Sequence, residues 1–162
     1  MITAILIPHD DDSPLQRVEI NAEDLATIQG IVEGSFEVTN LDDPPASIFS
    51  NDEAMLWSLP YNLRATLLVW MLAKGLRGRI NVAGNALLVG QADKNGRTKS
   101  VPRALVKLLL ETDTYLIERQ HRPDGPWVKD SHTFNNWVEA FNFAIVQEEK
   151  YAAIQDTRVL GA

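Results

Sequence analysis

Apolar residues in this chain follow two periods and keep to neither for long. Val18 and Ile20 alternate with Arg17 and Glu19, and Phe36 and Val38 alternate with Glu37 and Thr39, the period of a half-buried strand. Leu25, Ile28 and Val32 follow at helical spacing, as do Trp137, Phe141 and Ile145. Pro8, Gly34, Pro44, Pro60, Gly75, Pro102 and Pro123 close or open the runs. Such switching predicts an α+β fold, a mixed or antiparallel sheet with three short helices, followed by a C-terminal β-hairpin and helix.

The pattern predicts a strand over 3–7 and a hairpin return over 16–20. Asn21 is placed to cap a helix over 22–33, and Gly34 to end it. A strand over 35–41 runs into Asp42-Asp43-Pro44-Pro45, and 46–49 resumes the sheet. Next come a turn at 51–53, a helix over 63–74 stopped by Gly75, and strands over 80–82 and 86–92. A turn at Asp93-Lys94-Asn95-Gly96 then returns a strand through Val101. Pro102 opens a third helix over 103–110. Strands over 114–120 and 127–134 flank a turn at 122–126, a helix covers 135–151, and the tail from Gln155 is expected to fray. The expected division is a core domain over 1–110 and a hairpin-helix subdomain over 111–162.

At 162 residues and 45% hydrophobic content the chain can bury a real core. It has no cysteine, which removes disulfides, thiolate nucleophiles and cysteine-containing metal sites. The first residues lack the layout of a signal peptide, and the longest other apolar run, 65–73, falls far short of the roughly 20 residues that cross a bilayer. A cytoplasmic protein with no membrane partner is the expectation.

The net charge of −7 hides a division. Residues 1–60 carry twelve acids against Arg17 alone, a charge of −11, while residues 61–110 carry nine bases against Asp93, a charge of +8. Asymmetry of this kind marks binding surfaces, although adjacent segments can also neutralise each other within one fold.

Several spaced blocks resemble a known family. They are Ile5-Leu6-Ile7-Pro8; the unit Leu25-x-x-Ile28-Gln29-x-Ile31-Val32-x-Gly34-x-Phe36-Glu37-Val38; Leu59-Pro60-x-Asn62-x-Arg64-Ala65-Thr66; and Gly84-Asn85-Ala86-Leu87-Leu88-Val89-Gly90 followed by Val101-Pro102. In this order they resemble small uncharacterised proteins common in actinobacteriophages, a domain of unknown function. The resemblance covers residues 1–105. The Asp10-Asp11-Asp12 run and the C-terminal part lie outside it. It implies a phage or prophage origin and carries no mechanism.

Little in the sequence points to catalysis. There is no Gly-x-Ser-x-Gly elbow, Ser58 and Ser100 have nothing to set them apart, and the paired carboxylates are too numerous to be informative. His9 beside Asp10, Asp11 and Asp12 offers metal-compatible atoms, but consecutive residues rarely converge on one ion, so a solvated turn is expected and no metal. His121 and His132 flank the Pro123-Asp124-Gly125 turn and would face each other across the hairpin, as a surface pair. Gly75, Gly78, Gly84 and Gly90 match neither phosphate-loop spacing; Gly90 within a strand marks a bulge or a close backbone approach. Arg77, Arg79, Arg97, Lys99 and Arg103 would converge into a modest anion site if the strands around the Asp93 turn pair. Trp70 and Trp137 are expected in the core, whereas Trp57 and Trp127 border turns and are candidate interface anchors.

These readings lead to a non-enzymatic, phage-encoded accessory protein without cofactor, resident in the host cytoplasm. It would bind a host macromolecule, a host protein in the first place, through either the acidic N-terminal surface or the basic central surface, with Asp10, Asp11, Asp12, Asp42, Asp43, Trp57 and Trp127 as the interface candidates. The alternative is a nucleotide- or anion-sequestering protein that uses the basic segment. A third reading has the acids of residues 1–60 mimic DNA. Contact with nucleic acid and a homo-oligomer are both compatible with these features.

Overall fold

In the computed structural model, which describes all of residues 1–162, the chain divides into two compact units, Met1–Val106 and Lys107–Ala162. The first holds β1 (Ile2–Ile7), β2 (Gln16–Ile20), α1 (Leu25–Val32), β3 (Phe36–Asp42), β4 (Pro45–Asn51), α2 (Leu63–Leu72) and β5 (Ala86–Val89). Its strands form one antiparallel sheet in the order β2-β1-β5-β4-β3. The short apolar runs dictate this arrangement. β5 is buried at all four positions, as a central strand must be, while β2 and β3 alternate and lie at the edges.

Alternation sends the apolar side chains to two cores. Ala4, Ile20, Phe49, Leu87 and Val89 gather around Ile28 of α1, with Ile2, Val18, Ile31 and Phe36 at the margin. Their neighbours Ile5, Ile7, Ile48 and Leu88 are fully buried on the other face. Each such side chain contributes about 1.5–3 kcal/mol on burial. Helix α2 is buried through Ala65, Leu67, Leu68, Val69 and Met71. Its N-cap Asn62 accepts from the Ala65 N–H and donates from Nδ2 to the Ile7 and Gly84 carbonyls, 2.9 Å each, which locks the helix start to the end of β1.

Several expected elements differ in extent. Helix α1 begins at Leu25 because Asp24, not Asn21, caps it, accepting from the Thr27 N–H; Asn21 accepts from the Glu23 N–H one turn earlier. The left-handed residue at its end is Glu33, with Gly34 just after. Helix α2 stops at Leu72 and gives way to a 3-10 turn, Lys74–Leu76, so Gly75 is not its terminator. The segment 80–82 is not a strand: the Trp70 indole donates to the Ile80 carbonyl and Thr66 Oγ1 accepts from the Val82 N–H, so its bonds go to α2. The return strand through Val101 shrinks to one bridge, Gly90 to Lys99, and the Val101 N–H turns to the Thr3 carbonyl.

Helix α3 (Arg103–Leu110) begins after Pro102, whose carbonyl accepts from Leu105 and Val106, and it spans the division between the units. The second unit continues with β6 (Tyr115–Gln120), β7 (Trp127–Phe134), α4 (Trp137–Lys150) and β8 (Asp156–Gly161), with an antiparallel sheet in the order β7-β6-β8. The expected hairpin and helix are present, and Trp137, Phe141 and Ile145 of α4 are buried. The tail does not fray. It pairs with all of β6, because Thr157 and Val159 alternate inward and the Thr157 hydroxyl donates to Glu148 of α4. The observed class is α+β, four helices and two antiparallel sheets.

Candidate binding surface

Residues 52–58 leave the end of β4 as an ordered turn. Buried Asn51 anchors it: Nδ2 donates to the Val32 and Glu33 carbonyls at 3.1 Å, and Oδ1 accepts from the Glu53 N–H at 2.7 Å. Within the turn, the Trp57 N–H bonds the Glu53 carbonyl, the Leu59 N–H bonds the Ala54 carbonyl, and the Trp57 indole donates to Glu53 Oε2 at 3.0 Å. With so many bonds made inside, the apolar side chains point out: Met55 is 86% exposed, Leu56 74% and Trp57 65%. Contiguous exposed apolar groups on an ordered frame mark contact sites. Around the base stand Asp52 and Glu53, Glu33 at the end of α1, and Glu37 opposite Ser50. Residues 18–63, which supply the turn and these neighbours, carry nine acids and no Lys or Arg.

Beside the turn, α1 is too short to roof the whole sheet. A groove of about 410 Å³ remains, floored by Phe36, Val38, Asn40, Ser47 and Phe49, and walled by Ala22 and Leu25 on one side and the 90–98 turn on the other. The Phe36 and Phe49 rings stack at 4.8 Å. Ser47 donates to Asn40 Oδ1, and Gln91 Nε2 donates to the Leu41 carbonyl, which ties the turn to β3.

The candidate acids fall at two hairpin tips. Asp10 closes the first by accepting from the Asp12 N–H and the Ser13 hydroxyl, with Asp11 and Asp12 exposed beside it. Buried Arg64 clasps the same loop, donating to the Pro8 and Asp10 carbonyls at 2.8 and 2.9 Å. Burial lowers the Arg64 pKa from its ordinary value, and the nearby Asp11 and Asp10 charges oppose that shift. The His9 backbone N–H donates to Asn85 Oδ1, and no group of three His, Asp or Glu side chains comes together in a way that could hold a metal. Asp42 and Asp43 lie exposed at the β3–β4 tip, where the Asp43–Pro44 peptide is cis.

The candidate bases come from three separate segments of the first unit. Arg77 Nε donates to the Trp70 carbonyl and Arg79 follows in the turn after α2. Arg97 sits between Gly96 and Thr98, two lining residues of the groove. Lys99 bridges to Gly90, and Arg103 opens α3. The hairpin that would have gathered them closes by a single bridge, and the bonds of 77–82 go to the 74–76 turn and to α2 instead. The Asp93 carboxyl lies below its ordinary range because it accepts from the Arg97 and Asn95 N–H groups. Gly90 is a close backbone approach: a Cβ there would run into the Ser100 carbonyl.

In the second unit, Trp127 is half-buried, with the Arg158 guanidinium 4.2 Å from its ring centre, rather than a free anchor. His121 lies past the end of β6 and its Nδ1 bonds the Ala153 carbonyl, while His132 lies near the other end of the hairpin, so the two do not face each other. A β-bulge supplies what the sequence did not reveal. The β6–β7 register shifts between Leu116 and Glu118, and the loosened segment of β7 folds His132 back onto buried Asp130, Nδ1 to Oδ1 2.6 Å. Arg119 donates to the other oxygen at 2.6 Å, and the His132 ring packs on Phe143. Burial raises the Asp130 pKa, but the His132 bonds and the Arg119 charge outweigh it and hold the carboxyl below its ordinary value.

Residues 2–114 match the family described as Domain of unknown function (DUF3846), and the chain belongs to it. No curated protein and no solved structure matches. No helix is long and apolar enough to cross a membrane.

Proposed function

We propose that this DUF3846 member acts by binding a macromolecule, with the 52–58 turn as its apolar anchor and the surrounding acids as a steering rim. The observation that carries the reading is the exposure of Met55, Leu56 and Trp57 on a turn held by the backbone bonds of Asp52, Trp57, Ser58 and Leu59 and by Asn51. An apolar centre within a charged rim is the anatomy of a protein–protein contact, in which a buried tryptophan supplies much of the affinity. The acids favour a basic partner surface and speed its encounter. Following the resemblance of its sequence blocks, we take the protein to be phage- or prophage-encoded and the partner to be a host protein of the bacterial cytoplasm. Binding rather than catalysis is its activity. Affinity capture from bacterial lysate at low and moderate salt tests this: a partner retained by the wild type is expected to be lost by Leu56→Ser/Trp57→Ser with unchanged melting temperature. Equal retention by that variant, or no partner at either salt, would overturn it.

A further inference from the structure

Resting on that reading, we infer that the free edge of β3 takes the partner's chain itself, an extended basic segment that adds as a sixth strand and lays its side chains against the groove. The Asp52 N–H donates to the Ser35 carbonyl, and the register runs unbroken from Phe36↔Asn51 to Asp42↔Pro45. In an antiparallel ladder the bonded pairs alternate, so Glu37, Thr39 and Leu41 turn their amides to β4 and Phe36, Val38 and Asn40 turn theirs outward. The side chains of those same three residues line the groove. Backbone recognition and side-chain recognition thus lie on one stretch of chain, as strand addition requires.

Natural edge strands carry charged side chains, lysine above all, a proline, a bulge or a short length to prevent such pairing, and the only charges on β3 are the acids Glu37 and Asp42. Of the four edges, β2 has Arg17 and 5 residues, β7 has Lys129 and the bulge, and β8 has Arg158. Over its 7 residues and regular register, β3 has no Lys, Arg or proline, and Val38 stands 53% exposed. Charge selects the occupant. Glu37 and Asp42 on the strand, and Asp43 beyond it, favour lysine or arginine in the added segment. A second copy of β3 would bring the same acids and no bases.

The probe is an end-capped Lys-Val-Lys-Val-Lys-Val-Lys peptide, titrated into the full-length protein at neutral pH and followed by amide hydrogen exchange and NMR shifts. Saturable binding with slowed exchange at Phe36, Val38 and Asn40 is expected, and at least tenfold weaker binding of the same peptide N-methylated at alternate residues. Val38→Pro removes an outward N–H that the β4 ladder does not use, and is expected to weaken binding tenfold or more at an unchanged fold. Val38→Lys does the same without touching the backbone, should the proline variant fail to fold. No binding, protection elsewhere, association of two copies through β3 in place of peptide binding, or indifference to both variants overturns the inference. Lysate capture that is lost with Leu56→Ser/Trp57→Ser but kept with Val38→Lys would refute strand addition while leaving the binding function standing; capture indifferent to both would refute the two together.

Discussion

Asp130 shows how one carboxylate can organise a stretch of chain. It is nearly fully buried and accepts from the His132 N–H, His132 Nδ1 and Arg119 Nη1, which satisfies a charge that would otherwise be costly inside the fold. Because Arg119 is partly exposed, solvent screens its share, and the hydrogen bonds carry most of the effect. Asp130→Asn is expected to cost about 1–3 kcal/mol at neutral pH, read from urea denaturation. The folded pKa lies below the unfolded one, so this stabilisation is complete above an unfolded value of about 3.9 and disappears as pH falls through the folded value. The gap between wild type and variant should therefore narrow on acidification below about pH 4; a gap that stays constant would show that the carboxylate's charge is irrelevant. Nothing in the sequence announced this cluster. Residues two apart in a regular strand do not bond each other, and only the bulge, a tertiary outcome, brings Asp130 and His132 together.

Among the elements, those with a strict period were legible and those held by side-chain bonds were not. β2, β3 and α4 follow directly from their apolar spacing, β1 and β7 from the turns that bound them, and the exposure of Trp57 from its place beside a turn. Residues 80–82 have the composition of a strand, yet Thr66 and Trp70 of α2 take their backbone groups, and no local pattern encodes a partner 10 to 16 residues away. The tail from Gln155 has too few residues to display a convincing period, and its strand exists because β6 offers a free edge. Met55 and Leu56 are not legible as surface residues, because an apolar pair before Pro60 reads as the approach to a helix. The 52–58 turn depends in the same way on one distant side chain. Asn51→Ala removes the bonds to Val32, Glu33 and Glu53 together, and is expected to cost about 1–3 kcal/mol and to speed amide exchange at Glu53. Unchanged exchange there would mean that the turn holds its shape without the anchor.

For the molecule as a whole, the polarised charge in the sequence is not a division between units. Met1–Val106 carries −4 and Lys107–Ala162 carries −3, so the −11 and nearly all of the +8 segment share the first unit. The acids reach the β3 edge, the α1 end and the hairpin tips, while the bases follow α2 and the 93–97 turn. That placement is invisible in one dimension, since charge along a chain says nothing about which strand becomes an edge. It also bears on how the protein behaves in concentrated solution. β3 has none of the cations that keep other edges apart, so at neutral pH mutual repulsion between carboxylates is its main colloidal protection. Near the isoelectric point of about 4.9 that repulsion fades while the backbone groups of Phe36, Val38 and Asn40 remain available. Light scattering should then show reversible growth of particles between pH 5.5 and 4.5 (roughly the isoelectric region), suppressed in Val38→Lys, so the strand open to a partner would also set the pH at which the protein leaves solution.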